Sequence, residues 1–151
     1  MATSISHSPA ETEALGETWG REARSGLVIG LSGDLGAGKT QLVKGIALGL
    51  GVAVRVHSPT FTLVNVYAGG RLTLFHLDLY RLDTPEQVVG AGLEEYFSPA
   101  GVTVVEWAER WFGVDREPPG ERRGMPKRLR WVRMEVAGET ERRIAYEDFG
   151  V

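Results

Sequence analysis

The residues from Gly33 to Thr40 read Gly-Asp-Leu-Gly-Ala-Gly-Lys-Thr and carry the strongest chemical signal in the chain. Their spacing matches the pattern G-x-x-x-x-G-K-[ST], in which glycines allow successive backbone N–H groups to turn towards phosphate oxygens. We expect Lys39 to reach the β- and γ-phosphates of a nucleotide and the Thr40 hydroxyl to ligate Mg²⁺. The residues assigned to this phosphate-binding loop are Gly33, Asp34, Leu35, Gly36, Ala37, Gly38, Lys39 and Thr40.

Two carboxylates are candidates for the metal side of such a site. Asp78 ends the apolar run LTLFHLD, and Glu106 ends the run VTVVE. Either side chain could coordinate Mg²⁺ directly or through water, or could orient an attacking water. Taken alone, Asp78 is better explained as a solvated carboxylate in a turn, and Glu106 as a charge at a helix N-terminus. The phosphate-binding loop favours the metal-side role for at least one of them.

The stretch HSPTF, at 57–61, lies between the phosphate-binding loop and Asp78. Ser58 and Thr60 offer hydroxyls that could contact a γ-phosphate or its water, and a plain loop with a hydroxyl helix cap is the alternative. His57 and His76 have no spacing typical of a catalytic triad. We therefore interpret both histidines as structural.

The elements that must position these residues can be predicted from capping signals and hydrophobic periodicity. Ser8, Pro9 and Glu11 form a capping box with proline at the first helical position. The pair Gly69-Gly70 between β-branched, aromatic-rich runs predicts one hairpin, and alternating residues on both sides of a glycine-containing turn predict a second. In chain order we expect a helix after Ser8, a buried strand at 26–31, a helix at 39–51, a hairpin at 61–82, a helix after Thr84, a second buried strand at 101–106, a helical turn at 107–112 and a final hairpin at 129–149.

Strands that alternate with helices predict an α/β fold. The phosphate-binding loop between a strand and a helix makes this a P-loop NTPase-like three-layer sandwich, with a mixed, mainly parallel central sheet and antiparallel hairpins. A length of 151 residues fits one domain at 1–151. Its core is expected at about 8–112, followed by a basic loop and a C-terminal hairpin at 113–151.

The composition excludes several classes of site. The chain has no cysteine, which excludes disulfides, thiolate catalysis and cysteine-ligated zinc. A formal net charge of −3 argues against a general polyanion binder. We find neither a signal peptide nor an apolar run that approaches a membrane span. A cytoplasmic protein is expected.

Basic residues are concentrated at 121–133, where only Glu121 opposes them. This segment could contact RNA phosphates or an acidic partner, or it could be a solvated loop that leads into an edge strand. Trp107 and Trp111 are four residues apart, which favours one apolar helix face over a platform for base stacking. The basic residues are Arg122, Arg123, Lys127, Arg128, Arg130 and Arg133.

Five motifs occur in a characteristic order: GDLGAGKT, SPTFTLV, HLDLYRL, GLEEYF and VEWAER. Together they resemble the TsaE (YjeE) family of bacterial P-loop ATPases over residues 12–110. The resemblance implies binding of ATP and Mg²⁺, weak ATP hydrolysis by the protein alone, and action with the partners TsaD and TsaB. It also implies a role in threonylcarbamoyladenosine biosynthesis next to some tRNA anticodons.

The same resemblance implies roles for individual residues. Thr40 and Glu106 would be the metal-side groups, and Asp78 would take the Walker B role. Thr12, in the N-terminal helix, would lie near the nucleotide, and Thr60 would belong to a switch loop. The chain departs from the family where Gln41 follows Thr40, because a second hydroxyl is often found there.

Two other functions remain open at this stage. A P-loop small-molecule kinase could use the basic segment as a phosphate lid, and a nucleotide-dependent binding module would show negligible turnover. The sequence has neither an evident second-substrate motif nor the guanine-reading N-K-x-D. A nucleotide-driven switch ATPase is therefore favoured over both.

Overall fold

The computed structural model describes residues 2–33, 38–53, 55–56, 63–112 and 126–150. The predicted helices and strands are found, together with one strand, β1, that was not predicted. The elements in chain order are β1 (Ala2–Ser6), α1 (Pro9–Glu22), β2 (Leu27–Gly33), α2 (Lys39–Gly49), β3 (Val64–Tyr67), β4 (Leu74–Asp78), α3 (Pro85–Gly90), a 3₁₀ turn (Glu94–Phe97), β5 (Val102–Glu106), α4 (Glu109–Phe112), β6 (Arg128–Val136) and β7 (Arg142–Gly150).

The seven strands of the described residues form one sheet in the order β1-β7-β6-β2-β5-β4-β3. The four central strands, from β6 to β4, pair in parallel, whereas β1, β7 and β3 are added antiparallel at the two sides. This arrangement confirms the α/β class with a mixed sheet that is parallel at its centre. Because β2, β4 and β5 are parallel, their carboxyl ends lie at one edge of the sheet.

Helices cover both faces of the sheet and produce two apolar cores. On one face α1 and α2 pack against the sheet, in a core that includes Trp19 and Ile46. On the other face α3, the 3₁₀ turn and α4 contribute Val88, Phe97 and Trp111 to a second core. The expected three-layer sandwich is therefore observed. Within the described residues, no helix is both long and apolar enough to cross a membrane.

Helices α1 and α2 contact each other backbone to backbone through glycines. A Cβ atom on Gly45 would lie 2.0 Å from the carbonyl oxygen of Glu13, and one on Gly16 would lie 2.3 Å from that of Leu42. Gly20 and Gly49 repeat this close approach one turn further along both helices. The two helices therefore run in the same direction, and the first turns of α1 lie beside the start of α2.

Strand β6 lies inside the sheet, so the expectation that the basic segment leads into an edge strand is wrong. Arg128 begins β6, which pairs with β2 on one side and β7 on the other. Apolar side chains of β6 are buried on both faces, with Leu129 in one core and Val132 in the other. Residues 121–125 of the basic segment lie outside the described residues.

Arg130, in the basic segment, has a structural role that its charge alone did not indicate. Its guanidinium donates to Asp148 Oδ1 and Oδ2 at 2.7 and 2.9 Å. The same group lies 4.4 Å from the ring centroid of Tyr146 and 4.8 Å from that of Trp19. Long arginine side chains often cover aromatic surface in this way while the charged group is paired. Arg130 therefore joins α1 to the C-terminal hairpin.

We predict that Gly45→Ala lowers the free energy of unfolding by about 1–3 kcal/mol, because a methyl group there overlaps the α1 backbone. The matched control is Gly90→Ala, at the end of α3, where an added Cβ has nothing within 4 Å. Chemical denaturation of both variants measures the difference. Equal stability of Gly45→Ala and Gly90→Ala would contradict the backbone contact.

Candidate active site at the carboxyl ends of the parallel strands

Asp78 and Glu106 are neighbours at the ends of adjacent strands. They are register partners in the parallel pairing of β4 and β5. Asp78 is 6% exposed and Glu106 is 5% exposed. Burial excludes the solvated-turn interpretation of Asp78. Glu106 ends a strand, and α4 begins only at Glu109, so Glu106 is not the terminal charge of that helix. The structure therefore brings the two predicted carboxylates together.

Gly33 and Gly38 belong to the predicted phosphate-binding loop and have backbone conformations that favour glycine. Gly33 has φ of 126°, and a Cβ there would lie 2.0 Å from the carbonyl oxygen of Met134. Gly38 has φ of 90° and caps the N-terminus of α2. The other loop residues, Asp34, Leu35, Gly36 and Ala37, lie outside the described residues, as does Thr60 of the HSPTF stretch.

Lys39 begins α2 and turns back over the end of β2. Its side chain is buried, and Nζ donates a hydrogen bond to the carbonyl oxygen of Gly33 at 2.9 Å. Thr40 follows as a half-buried residue in the first turn of the helix. The N–H groups of a first helical turn have no partner within the helix, and the helix dipole places partial positive charge there. This end of α2 is therefore suited to an anion.

Trp107 joins the site, which the sequence analysis missed. The Lys39 ammonium lies 3.8 Å from the centroid of the Trp107 ring, at a distance typical of a cation–π contact. Trp107 has φ of 58°, which is uncommon for a residue other than glycine. The predicted helix face shared with Trp111 is wrong, because Trp107 precedes α4 and Trp111 stacks on Phe97. The position of Trp107 directly after Glu106 was the only sequence feature that could have indicated its place in this site.

His76 is fully buried on β4, two residues before Asp78. Its Nε2 lies 2.6 Å from Glu106 Oε2. The Nδ1 atom is buried and has no hydrogen-bond partner among the described residues. The histidine predicted to be structural is therefore in direct contact with a predicted metal-side carboxylate.

Thr12 lies in the first turn of α1, close to the beginning of α2. Its hydroxyl is buried and lies 2.7 Å from the hydroxyl of Ser6. The neighbouring residue Glu13 accepts a hydrogen bond from Gln41 Nε2 at 2.9 Å, which ties the two helix starts together. Gln41, where the family often has a hydroxyl, thus makes an interhelical contact.

The donor atoms of this site suit a hard divalent cation that keeps other ligands. Asp78 and Glu106 supply carboxylate oxygens, and Thr40 lies in the first turn of α2. No group of three or more histidine, aspartate or glutamate side chains among the described residues could hold a metal ion. Mg²⁺ in nucleotide sites is commonly held by one or two carboxylates, together with waters and phosphate oxygens. The residues present therefore fit Mg²⁺ bound together with a nucleotide.

Comparison with known proteins decides the family. Residues 6–144 match the family model described as "Threonylcarbamoyl adenosine biosynthesis protein TsaE". The chain belongs to the TsaE family. The matched region extends beyond the expected residues 12–110 and includes β6 and the first residues of β7.

TsaE relatives from distant bacteria support this assignment. The tRNA threonylcarbamoyladenosine biosynthesis protein TsaE of Bacillus subtilis (strain 168) is 41% identical over 142 residues, which are 94% of this chain and 82% of the relative. The TsaE protein of Treponema pallidum (strain Nichols) is 48% identical over 106 residues, 70% of this chain and 78% of the relative. The crystal structure of Bacillus subtilis YdiB has a TM-score of 0.75 at 34% identity and covers 96% of this chain and 83% of that chain.

We predict that the Hε protons of Lys39 resonate upfield of those of Lys44 and Lys127 in the nucleotide-free protein, because the Trp107 ring current shields groups above the ring. Trp107→Leu should remove this shift. NMR with lysine labelling tests the contact, since the chain has no other lysines. Coincident Lys39 and Lys44 signals in the wild-type protein would argue against the contact.

Proposed function

We propose that this TsaE-family protein is a Mg²⁺-dependent P-loop ATPase that acts as a nucleotide-driven switch in tRNA threonylcarbamoyladenosine modification, together with TsaD- and TsaB-type proteins. The single observation that carries the proposal is the register pairing of Asp78 and Glu106 at the same sheet edge where Lys39 begins α2. Family membership supports the role in tRNA modification.

In this proposal the phosphates lie between the start of α2 and the strand ends. The backbone N–H groups of the phosphate-binding loop bind their oxygens, and Lys39 contacts the β- and γ-phosphates. Thr40, Asp78 and Glu106 hold Mg²⁺, directly or through water. When bound, Mg²⁺ neutralises charge that develops on the phosphate oxygens. Thr12 and Thr60 are assigned to the nucleotide and the switch loop on the family resemblance alone.

The proposed switch begins with Lys39. Its ammonium donates to the Gly33 carbonyl oxygen and lies over the Trp107 ring, so a phosphate that draws the ammonium towards itself would release the ring. Trp107 has a left-handed backbone and directly follows Glu106. Release of the ring would allow the turn after β5 to rearrange with the nucleotide state. Ordering and release of a segment by a γ-phosphate is a known type of switch.

The same proposal has consequences for how the protein relates to tRNA and for its location in the cell. Among the described basic residues of 121–133, Arg130 is paired with Asp148, and Arg133 lies 3.2 Å from Glu135. This favours an indirect contact with tRNA, through the partners, over a direct contact by these two arginines. The proposed role places the protein in the cytoplasm, without a membrane contact.

A small-molecule kinase and a binding module remain the competing functions. A kinase lid built from 121–133 would need free arginines, and the pairing of Arg130 disfavours it for that residue. Products discriminate all three functions: a switch ATPase releases phosphate, a kinase transfers it to an acceptor, and a binding module does neither even with its partners present.

We predict that Lys39→Ala and Asp78→Asn each lower partner-dependent ATP hydrolysis by about 100-fold or more. Lys39→Ala removes a positive charge that would stabilise the phosphate oxygens in the transition state, and Asp78→Asn weakens the site for the Mg²⁺ that would do the same. Formation of the modified nucleoside in a reconstituted system with TsaD and TsaB should fall in parallel. Lys44→Ala is the matched control, since it removes a lysine from the same helix outside the site.

Circular dichroism and thermal unfolding establish that the variants are folded. Wild-type levels of modified tRNA with both Lys39→Ala and Asp78→Asn would refute the proposed role. Phosphate transfer to a small molecule would instead establish the kinase.

A further inference from the structure

The contact between His76 and Glu106 has a consequence for the metal side of the site. We propose that His76 is a positioning residue, whose Nε2–H fixes Oε2 of Glu106 so that the other carboxylate oxygen is presented to a divalent cation. The bond itself is a property of the protein alone. Its effect on a cation rests on the proposed nucleotide site.

The direction of the hydrogen bond follows from the chemistry of its two groups. The form of Glu106 that would ligate a cation is the carboxylate, which accepts hydrogen bonds and does not donate them, so the proposal assigns the proton to Nε2 of His76. The distance of 2.6 Å is short, as expected for a bond to a charged acceptor. Both side chains are buried, at 0% and 6% exposed, so water does not compete.

The surroundings of His76 are apolar, so the hydrogen bond to Glu106 is the one contribution that an aliphatic side chain at this position could not make. Its neighbours on the same sheet face are Leu74, two residues earlier, and Val104, its register partner on β5. Nδ1 has no partner among the described residues. A buried polar atom without a hydrogen bond is unfavourable, and a leucine would fill this position without that cost. The bond to Glu106 is thus what the imidazole supplies.

The expected effect on Glu106 is the loss of rotational freedom of its carboxylate. With Oε2 held by His76, the carboxylate is restricted to one orientation, and Oε1 is the oxygen left for a cation on the sheet face that Glu106 shares with Asp78. Hydrogen-bonded partners of metal-ligating carboxylates have this role in other proteins, and their removal weakens metal affinity or activity by about 10- to 100-fold. Without the imidazole, Glu106 could turn towards other donors, such as Lys39.

The first experiment measures Mn²⁺ affinity of the ADP-bound protein by electron paramagnetic resonance. His76→Leu should weaken Mn²⁺ binding by about 10- to 100-fold, while ADP affinity measured without metal stays unchanged. His76→Gln retains an N–H close to the position of Nε2 and should recover most of the Mn²⁺ affinity. In the reconstituted ATPase, His76→Leu should lower kcat more than it raises KM for ATP.

Thr103→Val is the matched control for loss of a buried hydrogen bond. Thr103 lies on β5, faces the opposite side of the sheet and donates to the carbonyl oxygen of Tyr96 at 2.6 Å. Its substitution should lower stability without any change in Mn²⁺ affinity. A loss of Mn²⁺ affinity in both His76→Leu and Thr103→Val would assign the effect to general destabilisation and overturn the proposal.

A second measurement needs neither a nucleotide nor a folded His76 variant. In wild-type protein labelled with ¹⁵N-histidine, the His76 Nε2–H should give a slowly exchanging downfield signal that moves in Glu106→Gln. Absence of this signal overturns the hydrogen bond. Equal Mn²⁺ affinity of His76→Leu and wild type, or equal loss in His76→Gln and His76→Leu, overturns the positioning role.

These measurements distinguish a failure of the His76 positioning role from a failure of the proposed ATPase function. Mn²⁺ binding that depends on His76, in a protein that shows no partner-stimulated hydrolysis, would support the positioning role and contradict the ATPase. Failure of the wild-type ADP complex to bind Mn²⁺ would overturn both.

Discussion

The site depends on the parallel pairing of β2, β4 and β5. Parallel strands end at the same edge, so three segments that are far apart in the sequence deliver Gly33, Asp78 and Glu106 to one place. An antiparallel arrangement of β4 and β5 would separate the two carboxylates by the length of a strand. Ligands in open α/β sheets commonly bind outside the carboxyl ends of the strands. The chemistry proposed here therefore follows from strand direction.

The second constraint is the close contact of α1 with α2. Four glycines allow the helix backbones to meet, and larger residues would force the start of α2 away from α1. The start of α2 is also held by Gln41, which bonds to Glu13. Lys39 thus projects from a helix whose position is determined at several points. A phosphate-binding residue benefits from such rigidity, because a supporting shell preserves its geometry.

Much of the fold could be predicted from local signals. Ser8 and Thr84 cap helices as the sequence indicated, and the buried strand runs and both hairpins are where the patterns placed them. Strand β1 was missed, because a short polar stretch has no periodicity and forms only by pairing with β7. The interior position of β6 was also missed. Its alternating arginines are typical of an exposed edge strand, but the Arg130 charge is paired and packs over an aromatic ring.

The positions of Lys39, Asp78 and Glu106 at one edge of the sheet could be predicted, because sequence motifs place them at the start of a helix and at the ends of strands. The site was not predictable where tertiary contacts decide the role. Trp107 enters through a left-handed turn that no spacing rule indicates, and His76 reaches Glu106 across two strands. In the proposed function, the strand-end carboxylates and the start of α2 act as one nucleotide–metal site. Titration calorimetry of ATP into the wild-type protein, with and without Mg²⁺, measures this directly. ATP should bind, and Mg²⁺ should strengthen the binding. Folded protein that binds no ATP in Mg²⁺ buffer would show that these residues do not form such a site.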